Sequence, residues 1–274
     1  MPELPSFPFV QRAAVAVLLA SVLLGGLSHL VVARRLAFFS AAIGQAVLTG
    51  VSLGVLLGEP LEAPWGSVLG FSLLVGVALV WVRRSSALPT DTIVGVFLAF
   101  TLGLGVCLLV FVTKRFNVHQ LEAVMFGSVL TVTRGDLLAL CALSVVLFGV
   151  LGTFSNRLLL GAIDPRLRAA ASGADDARDE YLFVVLLTAA IVVSVKVMGA
   201  LMVEALLVVP AAAARNLSRS VRGLFLASIT VALTAGMGGL ALSTQIDVPS
   251  GAAIVIALAT AFLITLAFRS TRRA

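Results

Sequence analysis

Residues 182–214 read LFVVLLTAAIVVSVKVMGALMVEALLVVPAAAA, with only two charged side chains, Lys196 and Glu204. A bilayer core takes about 20 apolar residues in one helix, so the stretch is either one long tilted helix or two crossings joined by a break. The flanking charges decide between them. Arg178 precedes the stretch, and Arg215, Arg219 and Arg222 follow it. One crossing would put these groups on opposite sides of the membrane. Two crossings keep them on one side, in line with the excess of basic residues in cytoplasmic loops. The reading is therefore two crossings with a break near Lys196-Val197-Met198-Gly199. Broken helices survive at membrane depth only where protein buries them or where they line a water-filled cavity, so the break marks a functional element.

The rest of the chain supports the same class. Of its 274 residues, 60% are hydrophobic and 12% charged, against about 45–50% and about 25% in an ordinary soluble domain. A soluble enzyme, a disordered chain and a disulfide scaffold are excluded. Apolar runs cover 13–33, 36–58, 66–82, 92–113, 136–156, 182–196, 198–214, 224–243 and 250–268. The predicted fold is all-α, a polytopic transmembrane bundle of about eight to nine spans. The net charge of +6 comes largely from arginines after alternate runs: Arg34-Arg35, Arg83-Arg84, Arg157 to Arg178, Arg215 to Arg222 and Arg269 to Arg273. Placing these on one side makes fourteen of the 19 basic residues cytoplasmic, with the N-terminus outside and the C-terminus inside. This parity requires that 121–136, which carries Gly127, Ser128, Thr131 and Thr133, does not cross fully. A re-entrant or interfacial segment fits. The start of the chain lacks a basic n-region, so a cleaved signal peptide is not expected.

The longest polar connection is 157–181. Within it, DPRLRAAASG (164–173) predicts a short helix: Asp164 is a good N-cap, Pro165 suits the first helical position, and Gly173 supplies a C-terminal stop. Leu167, Arg168 and Ala170 lie in its body. It is either a solvated surface helix or a docking helix on the cytoplasmic side. In GVSLGVLLG (50–58), Gly50, Gly54 and Gly58 recur every four residues and form a smooth face for close helix packing. Cys107 and Cys141 lie in apolar runs and read as small buried hydrophobes rather than a disulfide or metal pair. His29 lies within the first span, where a packed, hydrogen-bonded role is the simpler reading. Asp91 and Asp136 open spans, where a helix N-terminus favours a carboxylate. The sequence has no phosphate-binding loop of the Gly-x-x-x-x-Gly-Lys type, no Cys-x-x-Cys, no His-Glu-x-x-His and no supported nucleophile, so an enzyme is not expected. Lys196 and Glu204 are the clear intramembrane charges. Such residues normally face a cavity or a partner, because a charge at mid-membrane costs roughly 2.5–3.5 kcal/mol on insertion scales.

The second half resembles a known family. KVMGALMVEALLVVPAAAAR (196–215) is similar to the segment of zinc/manganese/iron-type ABC-importer permeases that runs from a basic residue through Val-Gly-x-Leu-Leu to Leu-Leu-x-x-Pro-Ala-Ala-x-Ala-Arg. Other stretches resemble the family in order: VARRLAFF (32–39), GQAVLTG (44–50), DTIVG (91–95), MFGSVL (125–130) and IDVPSG (246–251). The resemblance covers nearly the whole chain.

It implies a single transmembrane permease domain over 1–274, the membrane subunit of a metal ABC importer in the plasma membrane. Two copies would form the pathway. A separate ABC ATPase would hold ATP, with no cofactor in this chain, and an extracytoplasmic substrate-binding protein would deliver zinc or manganese. The lipid bilayer is the surrounding partner, and no nucleic acid is involved. The family's coupling helix falls on Asp164, Pro165, Leu167, Arg168, Ala170 and Gly173. Lys196, Glu204, Gln45 and Ser128 become the pathway residues. The family's usual metal-binding Asp and His positions are here Ala41, Gln45, Ala99 and Ser128, leaving Glu204 as the candidate for attracting a cation. Three accounts stay open: passage of a hydrated ion, a role for Glu204, or a different cargo such as a chelated metal or an organic solute. A structural or regulatory membrane protein that has lost transport is the reading from another class.

Overall fold

A computed structural model of the chain describes residues 8–59, 64–113, 132–163, 176–218, 220–246 and 248–271. Among them the helices are α1 (Pro8–Ala33), α2 (Ala37–Leu56), α3 (Trp65–Ser85), α4 (Thr90–Thr113), α5 (Arg134–Ile163), α6 (Asp176–Met198), α7 (Ala200–Leu217), α8 (Val221–Ile246) and α9 (Ser250–Thr271). Each is long and apolar enough to cross a bilayer, which gives nine candidate spans among the described residues. The fold is all-α, as composition and period require. Several helices outrun their apolar runs. α5 continues to Ile163 and α6 begins at Asp176, so the polar connection between them narrows to 164–175, which lies outside the described residues. The expected coupling-helix residues Asp164, Pro165, Leu167, Arg168, Ala170 and Gly173 fall there. Ser128 and most of the expected re-entrant segment also lie outside the described residues.

The chain divides into two compact units. One comprises 1–32, 126–146 and 193–274, and within it α7, α8 and α9 pack against one another. The other comprises 33–125 and 147–192, and within it α2 packs against both α3 and α4.

Polarity is distributed as a bilayer demands. Leu74, Trp81, Phe100, Leu138 and Phe268 are exposed, whereas the hydroxyls of Ser21, Ser28, Thr49 and Ser194 belong to fully buried residues. Lipid tails are as apolar as leucine, so large side chains occupy both environments, and Phe39, Phe183 and Leu24 are fully buried. Small residues let backbones approach, and they fill the helix seams. Cys107 and Cys141 are free thiols, but both are exposed rather than buried. An apolar run in a membrane helix has an outward side as well as an inward one, and both cysteines lie on the outward side of this chain.

Gly50 and Gly54 lie against the start of α3. A methyl group added at Gly50 would sit 2.8 Å from the Val68 Cα, and one at Gly54 would sit 2.7 Å from the Pro64 Cβ. Gly58 does not share this face. α2 ends at Leu56, and Gly58 takes φ +84° with nothing near its missing side chain. The Gly58 N–H donates to the Val55 carbonyl at 3.2 Å and the Glu59 N–H to the Gly54 carbonyl at 2.9 Å. These two bonds, with a left-handed glycine, make a Schellman helix stop. The turn sends Glu59 back to α3, where its carboxylate accepts from the Ser67 N–H at 3.2 Å and from the Ser67 hydroxyl at 2.9 Å. A negative group there suits the positive end of α3.

Candidate translocation site

The break inside 182–214 falls on one residue. α6 ends at Met198, Gly199 has φ 86° and ψ 155°, and α7 starts at Ala200. That combination of angles belongs almost only to glycine. Gly199 closes both helices with its own backbone: its N–H donates to the Val195 carbonyl at 2.7 Å, and its carbonyl accepts from the Val203 N–H at 3.3 Å. α7 has 18 residues, which at helical rise is about 27 Å, close to the thickness of a hydrocarbon core. It is thus a nearly full crossing rather than a half-length one.

Lys196 sits in the last turn of α6, just before this break. Its ammonium lies 3.6 Å from Asp136 Oδ1. Asp136 is the third residue of α5, and Thr133 caps that helix. The Thr133 N–H and hydroxyl donate to Asp136 Oδ2 at 3.1 and 2.6 Å, and the Asp136 N–H returns a bond to Thr133 Oγ1 at 3.2 Å. This is a reciprocal capping box with Asp in the usual Glu position. One carboxylate oxygen holds the cap while the other faces Lys196. Glu204 stands on α7 five residues past Gly199, roughly 7–8 Å along the axis. It is only partly buried, and among the described residues no cation pairs with it. Lys196 is therefore bound to Asp136 rather than to Glu204.

Farther along α7, Pro210 lies inside the helix. A proline cannot donate to the carbonyl one turn back, and its ring crowds that carbonyl. The next N–H, of Ala211, is held by the Ser28 hydroxyl of α1 at 2.9 Å, in a buried contact. On the same helix α1, His29 Nδ1 contacts the Gly26 carbonyl at 2.6 Å, and the ring packs edge-on against Phe225, centroids 5.3 Å apart. His29 is a packed side chain. Near the far end of α7, the Asn216 amide donates to the Thr265 hydroxyl of α9 at 3.4 Å. The C-terminal halves of α7 and α9 thus lie together, so the two helices run in the same direction.

The other unit holds Gln45, on α2, whose Oε1 is buried without a hydrogen-bond partner among the described residues. Ala41 lies on the same helix and Ala99 on α4. The unit also gathers charge at one end of α6. Glu180 is buried and faces two guanidiniums: Arg84 Nη1 donates to Oε2 at 3.1 Å, and Arg83 Nη1 lies 3.4 Å from Oε1. One turn on, the Arg34 guanidinium stacks 4.6 Å over the Phe183 ring. Arg34, after the first span, and Arg83 and Arg84, closing the third, therefore reach the same end of α6.

Among the described residues no group of three His, Cys, Asp or Glu side chains is placed to hold a metal. The sequence reading missed three roles: Asp136 as partner of Lys196, Ser28 as partner of the proline turn, and Glu180 as anchor of two arginines. Only the first had a local signal, the Thr133-x-x-Asp136 capping pattern.

Comparison with known proteins agrees with this architecture. The family model described as the ABC 3 transport family matches residues 6–269. An uncharacterized membrane protein of Synechocystis is 33% identical over 96% of this chain and 92% of its own length. The manganese import system permease protein ScaB of Streptococcus gordonii is 28% identical over 96% of this chain and 92% of its own. A solved structure of PsaBC from Streptococcus pneumoniae, in complex with Fab, superposes with a TM-score of 0.81 at 27% identity, covering 96% of this chain and 92% of that one. The match spans nearly every residue, the helix break included, and the chain belongs to the ABC 3 transport family as a multi-pass membrane permease of the metal-importer type.

Proposed function

We propose that this permease imports a divalent metal ion, zinc or manganese, as one of two identical membrane subunits driven by a separate ATPase and fed by an extracytoplasmic binding protein. The observation that carries the reading is the glycine-broken α6–α7 pair, with Lys196 before the break and Glu204 after it, inside a chain that matches the family from end to end. The relative ScaB, named for manganese import, supports the choice of cargo. The metal is cargo. The family's coordinating positions being Ala41, Gln45, Ala99 and Ser128 favours passage of a largely hydrated ion, with Glu204 attracting it. The ends bearing Arg34, Arg83 and Arg84 are assigned to the cytoplasm because basic residues concentrate there. This puts the N-terminus outside and the C-terminus inside. Segment 164–173 then lies on the ATPase side as the coupling helix. The test is uptake of zinc, manganese and iron into vesicles holding the permease, its ATPase and its binding protein. ATP-dependent accumulation of one of these ions is expected. ATP turnover without uptake of any of them would reject metal cargo.

A further inference from the structure

We propose that Glu180 is the joint between α6 and α3: with Arg83 and Arg84 on its carboxylate, a displacement of the polar connection ahead of α6 carries the end of α3 with it. The inference rests on the reading of 164–173 as the coupling helix, and its test separates the two.

The joint lies within one compact unit, which holds α3 and the part of α6 up to Val192. The two helices run antiparallel there. Gly76 of α3 lies against α6, and a methyl group added to it would sit 2.8 Å from Thr188 Oγ1 and 3.4 Å from Val184 Cγ1. Farther along α3, and farther back along α6, Arg83 and Arg84 meet Glu180. Leu79 and Val80 of α3 and Phe183 and Leu187 of α6 are buried over the same stretch.

Apolar packing alone holds such a seam weakly against sliding, because lipid tails replace any apolar neighbour that moves away. A buried carboxylate is different. The Glu180 side chain is 9% exposed, and drawing it off its partners strands a buried charge. It is gripped at both oxygens, with Arg84 Nη1 donating to Oε2 at 3.1 Å and Arg83 Nη1 lying 3.4 Å from Oε1. Two adjacent arginines on one carboxylate fix the end of α3 in rotation as well as in height. Ala177, Arg178 and Asp179 are all partly or fully exposed, so Glu180 is the first buried side chain of 177–198. Movement of the connection therefore meets the helix bundle first at Glu180.

The experiment follows ATP-driven movement on both sides of the joint. In the complete complex, with Cys107→Ala and Cys141→Ala as background, an environment-sensitive fluorophore is attached at Arg178→Cys in α6 or at Ser85→Cys in α3, both exposed positions. With Glu180 in place, ATP binding should change the signal at both. Glu180→Gln should keep the change in α6 and abolish it in α3. ATP should still be hydrolysed, while ions moved per ATP fall about five- to tenfold, the low end of coupling between distant sites. Arg84→Gln, which leaves Glu180 its contact with Arg83, is the milder variant and should weaken the α3 signal. Glu180→Arg combined with Arg84→Glu should restore it. A purely structural role predicts that uptake and ATP turnover fall together as complex is lost, with both signals unchanged per assembled complex. That result, or a full α3 signal in both Gln variants, overturns the joint even where the α6 signal upholds the coupling reading. No signal at either position with Glu180 in place overturns both. Signals at both positions without uptake of any metal reject the metal cargo and leave the joint standing.

Discussion

Removing the Ser28 hydroxyl tests the contact that serves the proline turn of α7. Pro210 cannot complete the turn of α7 around it, and Ser28 of α1 holds the Ala211 N–H at 2.9 Å in a buried site. Ser28→Ala leaves that buried N–H without the hydroxyl that accepts from it. An unsatisfied buried donor costs about 1–3 kcal/mol. Polar contacts in membrane bundles measured by double-mutant cycles average only about 0.6 kcal/mol, because the unfolded chain in lipid finds other partners. The two figures bracket the expectation at about 1–2 kcal/mol. Pro210→Ala supplies a regular helix in which the N–H groups of 210 and 211 both have carbonyls one turn back. In that background the serine has less to do, and Ser28→Ala should cost under about 0.5 kcal/mol. The assay is a double-mutant cycle on reversible unfolding in mixed micelles, where contacting residues show coupling energies of about 0.5–3 kcal/mol. An equal cost of Ser28→Ala in both backgrounds would refute the idea that the serine serves the proline turn.

Glu204→Gln keeps the side-chain shape and removes the charge; uptake of the transported ion should fall about tenfold if the carboxylate concentrates cations in the pathway, with ATPase binding unchanged. Equal uptake of every divalent ion tested would make Glu204 structural. Gly54→Leu drives a side chain into Pro64 and Ser67, where even a methyl carbon would lie 2.7 Å from the Pro64 Cβ, and should destabilise the chain by at least the ~1–3 kcal/mol typical of overpacking. A wild-type melting curve would mean that the α2–α3 seam is loose. Leu167→Asp in the proposed coupling helix should abolish permease-stimulated ATP hydrolysis while leaving membrane insertion intact, and normal coupled turnover would remove that segment from the interface.

What the sequence made legible follows from which signals survive in a bilayer. The spans were legible from composition, and a break near Gly199 from the parity of the basic loops along the chain. Gly58 was misread because four-residue spacing alone cannot separate a packing face from a helix stop. The better cue was Pro60 two residues on, since proline commonly follows a C-terminal glycine cap. The long-range pairs were silent: Lys196 and Asp136 belong to different helices, and Ser28 and Ala211 are 183 positions apart. The cysteines expose the deeper reason. In water, an apolar residue is a bet on the interior. In lipid, both environments of a helix are apolar, so hydrophobicity no longer says which way a side chain points. Inward direction is written instead in small and hydroxylated residues, as at Ser21, Ser28 and Thr49 against exposed Leu74 and Leu138. By that rule Ser28 was readable as inward-facing, but not its partner: a hydroxyl in a span commonly bonds its own helix, as Ser228 and Thr260 do, and only the fold brings Ser28 to the turn after Pro210.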